Sequence, residues 1–196
     1  MYEYSCFDYC ISLEMKGVFM ILEVKGIKKS FDKKEILHGI SFTVQSGKAM
    51  GFLGRNGAGK TTTFRCLMNV FKQTEGEFLL DGKPFDVNQN HIGYLPEERG
   101  MYAKVSLKDQ LAYFAKLKGA DTKTAAEEAE YWIDYFGLKD YTNKKLETLS
   151  KGNQQKIQIA QAFINDPAII ILDEPFSGLD PVNAQIFKDA IKEAVA

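Results

Sequence analysis

Cysteine is scarce in this 196-residue chain: Cys6, Cys10 and Cys66 are an odd number with no Cys-x-x-Cys pair among them. That pattern argues against a disulfide framework or a zinc knuckle and fits a reducing compartment best. Histidine is scarcer still, and neither His38 nor His91 has neighbours at metal-ligand spacing, so both are expected on the surface or in loops. Long apolar runs are absent too. The most apolar stretch, residues 168–172, runs straight into Asp173 and Glu174, far short of the ~18 residues that cross a bilayer. Neither charge is in surplus: 25 Lys and Arg against 26 Asp and Glu leave a formal net charge of -1. This gives no electrostatic reason to expect nucleic acid or an anionic membrane as the main partner. Residues 1–19 carry Glu3, Asp8 and Glu14 without a basic lead, so they do not read as a secretory signal. Since Met20 opens a well-patterned strand, that segment is expected to lie outside the core, from a start assigned too early.

What is present is an ordinary globular composition, 45% hydrophobic and 26% charged, enough for one domain or one core with a lobe inserted into it. Residues 21–24 and 40–44 read as strands around a Lys33-Lys34 turn, an antiparallel beginning. Residues 50–53 form a short apolar strand that enters a glycine-rich segment, and residues 62–71 then carry buried-helix spacing. A further strand over 76–82 ends in Asp81-Gly82, and another over 92–95 is closed by Pro96. Three helical stretches follow. Ser106 and Asp109 form a capping box for a helix with Leu111, Phe114 and Ala115 on one face. Ala129, Trp132, Ile133 and Phe136 fall at i, i+3, i+4 and i+7 in the second, and Ser150 opens a third that stops before Asp166-Pro167. Asp180-Pro181 caps and starts a last helix. The expected fold is α/β, with an antiparallel β subdomain over the first part of the core and a helical lobe inserted into it.

Two motifs carry chemistry. Gly54-Arg55-Asn56-Gly57-Ala58-Gly59-Lys60-Thr61 matches the phosphate-binding loop in full, between a strand and a helix whose next residue is Thr62. Glycines let successive backbone N–H groups curl around phosphate oxygens, Lys60 reaches the β- and γ-phosphates, and the Thr61 hydroxyl ligates Mg²⁺. Asp173 and Glu174 close a buried strand at its carboxyl end, where open α/β sheets bind ligands. Asp173 would hold Mg²⁺ through water, and Glu174 would polarise an attacking water as general base. A glycine-rich turn and two solvated acids are the bland alternatives.

With those residues in place the chain resembles the nucleotide-binding domain of ABC transporter ATPases, from about Ile21 to the last residue. Leu149-Ser150-Lys151-Gly152-Asn153 is similar to the family signature LSGGQ, and Ser177-Gly178-Leu179-Asp180 to the D-loop after it. The resemblance places Phe31 where an aromatic side chain stacks on adenine, and Glu97 at the loop that joins core to helical lobe and meets the metal. Lys151 stands for the first signature glycine, Asn153 for the signature glutamine, and Glu97 for the usual glutamine. Residues 95–102 and 149–156 resemble a subgroup of bacterial exporters that includes sodium-extrusion ATPases. Each position also has a plain structural role: Ser150 and Asp180 as helix caps, Phe31 as a core aromatic.

The resemblance implies a P-loop NTPase core of the RecA-like kind over residues 21–96 and 166–196, with 97–165 as the helical subdomain. It implies ATP and Mg²⁺ as cofactors, Ser150, Gly152 and Asp180 acting across a dimer of two copies, and a separate transmembrane permease. The location implied is cytoplasmic, peripheral on the inner face of the membrane. The family's switch histidine follows a further strand beyond Asp180, so the carboxyl end is expected to be incomplete and hydrolysis slow. A soluble ATPase acting on ribosomes or DNA, or a non-catalytic ATP-binding fragment, is the alternative.

Overall fold

A computed structural model describes residues 9–13, 19–32, 34–55, 57–97, 100–177 and 179–195. In chain order the elements are β1 (Tyr9–Leu13), β2 (Ile21–Phe31), β3 (Lys34–Gln45), β4 (Ala49–Phe52), α1 (Lys60–Leu67), β5 (Glu75–Leu80), β6 (Lys83–Pro84), β7 (Ile92–Leu95), α2 (Leu107–Leu117), α3 (Thr122–Tyr135), α4 (Lys151–Phe163), β8 (Ile169–Asp173) and α5 (Pro181–Val195).

The strands form two sheets. One is antiparallel throughout, in the order β3-β2-β5-β6, and its long β2–β3 hairpin extends well past the short strands expected from the sequence. The turn from β5 to β6 puts Asp81 at φ 51° and Gly82 at φ 74°. Two consecutive left-handed residues of this kind match the twist of a hairpin, which is why Asp-Gly stands there. The other sheet runs β4-β1-β8-β7, with β7 and β8 parallel and β1 antiparallel to both neighbours. It follows that β4, β8 and β7 all point the same way.

β8 is buried along its whole length, and its side chains divide two cores. Ile170 and Leu172 face α4, α5 and the helical lobe, whereas Ile169 and Ile171 join Phe64, Leu67 and the apolar face of the β2–β3 hairpin. That is the period-2 alternation of a strand with hydrophobic partners on both faces. The helices begin where the sequence places caps. Ser106 Oγ accepts from the Asp109 backbone N–H at 3.1 Å, and Asp180 Oδ1 accepts from Val182 and Asn183, both at 3.0 Å. The second helix starts two residues earlier than its apolar spacing suggests, because Asp121 caps it through Lys123 and Thr124.

The amino-terminal expectation is overturned in part. Tyr9–Leu13 lies inside the second sheet, between β4 and β8, and the Ile11 side chain is fully buried among the residues of the α1 core. β8, which would otherwise present a free edge, is thereby an interior strand. The reason is main-chain chemistry: the gap between two parallel strands offers unpaired N–H and C=O groups on both sides, and a short apolar segment satisfies both at once.

The helical lobe is joined to the core at the end of α4. Gly93 on β7 leaves no room for a Cβ, which would sit inside the contact radius of the Ala162 carbonyl oxygen. At the same place the Lys118 ammonium, from the end of α2, donates to the carbonyls of Gln161, Ala162 and Ile164 at 3.1–3.3 Å. These are terminal carbonyls of α4, which lack partners within their own helix. Burial pushes the Lys118 ammonium down to about 8.

Two outcomes follow. Ile11→Ala should lower the unfolding free energy by about 2–5 kcal/mol, as for other fully buried aliphatic truncations, and urea denaturation measures it. Lys118 binds its proton less tightly folded than unfolded, so its contribution to stability should rise with pH between about 8 and 10.5 and be constant below that window. The rise should be about 3 kcal/mol at most, and Lys118→Met should remove it from the pH dependence of the urea midpoint.

Candidate functional site

The register of the second sheet assembles the site. Tyr9 of β1 lies opposite Phe52 of β4 on one side and Asp173 of β8 on the other, so Phe52 and Asp173 stand at the same level of the sheet. Both strands leave the sheet there, β4 into the glycine loop and β8 into Glu174. In β7, Leu95 pairs with Leu172, which brings Glu97 to the same end, on the surface. Three chain reversals thus deliver the phosphate loop, Asp173-Glu174 and Glu97 to one edge.

The loop wraps tightly before α1. Gly57 and Gly59 have φ of 82° and 88°, in the left-handed region open to glycine. A Cβ on Gly59 would also come within 2.5 Å of Leu37 Cδ2 and 3.3 Å of the Ile36 carbonyl on β3, whereas a Cβ on Gly57 would meet nothing within 4 Å. Thr63, fully buried, fastens the first turn of α1 by donating its hydroxyl to the Gly59 carbonyl at 3.0 Å. The Lys60 ammonium, largely buried, folds back over the loop and donates to the carbonyls of Gly54 and, at 3.3 Å, Arg55. It therefore sits inside the curl where phosphate oxygens would lie. Asn56 falls outside the described residues.

A cleft of about 350 Å³ opens on this loop, lined by residues 57–62 together with Phe31, Lys34 and Ile36. Phe31 is 43% exposed at the border of this cleft and is not a core residue. Its ring meets Phe71 edge-on at 5.1 Å, and the Lys29 ammonium lies 4.8 Å from its centroid. One face of an aromatic ring at the mouth of a phosphate-binding cleft offers a stacking platform. Lys34 had no signal in the sequence beyond a polar turn, and Ile36 fell in no expected strand. Their approach to the loop depends on the length of the β2–β3 hairpin.

Asp173 is buried at the end of β8. Burial, with the Asp173 charge as second cause, pushes the phenol of Tyr94 on the neighbouring strand up to about 12. Glu174 has φ 49°, an uncommon conformation for a non-glycine residue and one that tends to occur at functional sites. Its carbonyl accepts from the Ser177 N–H at 3.1 Å, which closes a turn directly after the strand.

The remaining candidates gather elsewhere. Ser150 is exposed at the start of α4 and its Oγ accepts from the Asn153 N–H at 3.4 Å, a loose cap. Gly152 faces the first turn of α5: a Cβ there would meet Asn183 Nδ2 at 3.1 Å and Asp180 Oδ2 at 3.9 Å. Gly152 and Asp180 are thus neighbours, and neither lines the phosphate cleft. Gly178 lies outside the described residues. His38 is well exposed and Cys66 buried, as their settings suggested.

Family comparison accounts for this arrangement. A family model described as ABC transporter matches residues 37–177. The chain belongs to the ABC transporter family. It is 46% identical over 172 residues to the uncharacterized ABC transporter ATP-binding protein YhaQ of Bacillus subtilis, covering 87% of this chain and 58% of that protein. It is 31% identical over 180 residues to the lipopolysaccharide export system ATP-binding protein LptB of Haemophilus influenzae, covering 88% and 75%. A solved ATP-binding subunit of an ABC transporter superposes with a TM-score of 0.77 at 25% identity, covering 89% of this chain and 75% of that one. The mixed α/β P-loop fold is that of these ABC ATPase domains. The chain spans 52–63% of the length of three curated relatives that it matches at 42–52% identity.

The glycine geometry makes a contrast that urea denaturation tests. Gly59→Ala meets both a disallowed φ and a steric clash, Gly57→Ala only the first. Gly59→Ala should cost about 1–3 kcal/mol more than Gly57→Ala.

Proposed function

We propose that this chain is the ATP-binding and ATP-hydrolysing subunit of an ABC exporter, working as a pair of copies. The observation that carries the reading is the common sheet end at which the phosphate loop, Asp173 and Glu174 emerge at one level. The phosphate cleft with Phe31 at its border supports ATP as the nucleotide. ATP phosphates would replace the carbonyls of Gly54 and Arg55 as partners of the Lys60 ammonium, exchanging neutral acceptors for charged ones. Residues 54–61 would supply backbone N–H groups to the phosphates, and Thr62 would support the first helical turn.

The donor set fits Mg²⁺. Thr61 and Asp173 offer hard oxygens, Glu97 adds a carboxylate at the same sheet end, and no cluster of three or more His, Cys, Asp or Glu at metal-holding distance occurs among the described residues. A Mg²⁺ ion is commonly held by one or two protein oxygens with substrate phosphates and water completing its shell. When bound it neutralises charge on the β- and γ-phosphates. The chain's own contribution to the step is positional: Glu174 accepts the proton of the attacking water, and Lys60 and the loop amides hold the γ-phosphoryl group in line.

In the pair, Ser150 and Gly152 would meet the γ-phosphate bound to the other copy, with Asp180 beside the shared interface. Their placement on α4 and α5, away from the chain's own phosphate cleft, favours action in trans. A separate permease would dock where core and helical lobe meet. A groove of about 240 Å³ lies there, lined by Leu95, Met101, Phe114 and Gln158 among others, with Tyr102 and Tyr113 half exposed beside it. No described helix is long and apolar enough to cross a membrane. The chain would then sit on the cytoplasmic face. The likeness of its own residues 95–102 and 149–156 to a subgroup of bacterial exporter ATPases, with its similarity to LptB, supports outward transport.

Lys60→Ala should reduce affinity for a fluorescent ATP analogue at least tenfold, through loss of the loop's charged contact. Glu174→Gln should bind with near-normal affinity, release phosphate about 10²- to 10⁴-fold more slowly, and accumulate as an ATP-dependent dimer in sedimentation. Unchanged analogue affinity in Lys60→Ala would refute the assignment.

A further inference from the structure

The loop that leaves β8 is gripped from the side by α4. Gln155, one turn beyond Gly152, is 5% exposed, and its Nε2 donates to the Ser177 carbonyl at 3.0 Å. Ser177 is the residue whose N–H closes the turn on the Glu174 carbonyl. The Glu174 backbone is held at φ 49°, an unfavourable conformation for a non-glycine residue that relaxes unless its surroundings hold it. The Gln155 amide supplies such a hold. Its Oε1, equally buried, has no hydrogen-bond partner among the described residues.

That orphaned oxygen separates two roles. A buried side chain serving only to fill space would do better as methionine, which has the same length and no polar atom to desolvate. What the amide adds is one directed donor to one carbonyl. That carbonyl belongs to the turn that aims Glu174. The same end of α4 touches α5 through Gly152, Asp180 and Asn183, so the loop from Glu174 to Asp180 is held against α4 at both ends.

We propose that Gln155 is a positioning residue for hydrolysis: by holding the Ser177 carbonyl it fixes the turn that presents the Glu174 carboxylate, and so ties the chemistry at the chain's own nucleotide to the seating of its α4. This rests on the ATPase reading above. Gln155 touches neither nucleotide nor reacting atoms in this account. It acts through Glu174 alone, so its loss should appear in kcat and leave nucleotide affinity untouched.

The test compares wild type, Gln155→Met, Gln155→Glu and Glu174→Gln in steady-state phosphate release with Mg-ATP, with melting temperature read alongside. Gln155→Met should lower kcat about 10- to 100-fold with KM and analogue affinity within twofold of wild type. Gln155→Glu presents a carboxylate to a carbonyl at neutral pH and should be as slow. Burial raises a carboxyl pKa. As pH falls from 8 to 6 that side chain should therefore protonate, regain a donor, and recover rate relative to wild type, a dependence Gln155→Met lacks. Wild-type kcat in Gln155→Met, a proportional change in kcat and KM, or no pH-dependent recovery in Gln155→Glu would overturn the role while leaving the ATPase reading intact. A wild-type chain whose turnover is unaffected by Glu174→Gln would overturn that reading, and this role with it.

Discussion

Burial of β8 on both faces is the constraint from which the rest of the structure follows. Four consecutive aliphatic residues, Ile169 to Leu172, must find apolar partners above and below, and two separate cores supply them. A strand so enclosed is a stiff base for what comes next in the chain. Asp173 and Glu174 stand at its end because the carboxyl edge of a parallel sheet is where side chains leave the core and become available to a ligand. β4 and β7 share that direction, and their loops arrive at the same edge for the same reason.

The phosphate loop depends on a second close approach. Gly59 passes so near Leu37 and Ile36 that no side chain fits between them, which locks the loop to the hairpin that carries Phe31 at its tip. The cleft thus draws on residues from both sheets: the glycine loop and Lys60 from the α/β core, and the Phe31 ring from the antiparallel part. Neither sheet alone forms the cleft.

What the sequence revealed was local, and what it concealed depended on pairing at a distance. Gly54 to Thr61, Asp173-Glu174 and the caps Ser106, Ser150 and Asp180 were legible because each works within about one helical turn or one strand end of its own position. The strand Tyr9–Leu13 was hidden. Nothing near it in sequence requires a strand; its partners are about 40 and 160 residues away, and only the gap between β4 and β8 gives it a place. Lys34 and Ile36 escaped notice because a short polar turn was expected where the long hairpin continues. Gln155 escaped because its meaning lies in a carbonyl 22 residues away.

α4 connects these parts mechanically. At its amino end Gln155 and Gly152 bear on the loop between Glu174 and Asp180; at its carboxyl end Lys118 caps the terminal carbonyls while the last turn rests directly on Gly93 of β7. The groove beside Leu95, Met101 and Phe114 opens against the same helix through Gln158 and Gln161. α4 thus lies between that groove and the turn that follows β8. One thirteen-residue element therefore borders three surfaces that the chain order keeps apart: the groove, the loop that follows β8 and the exposed cap Ser150.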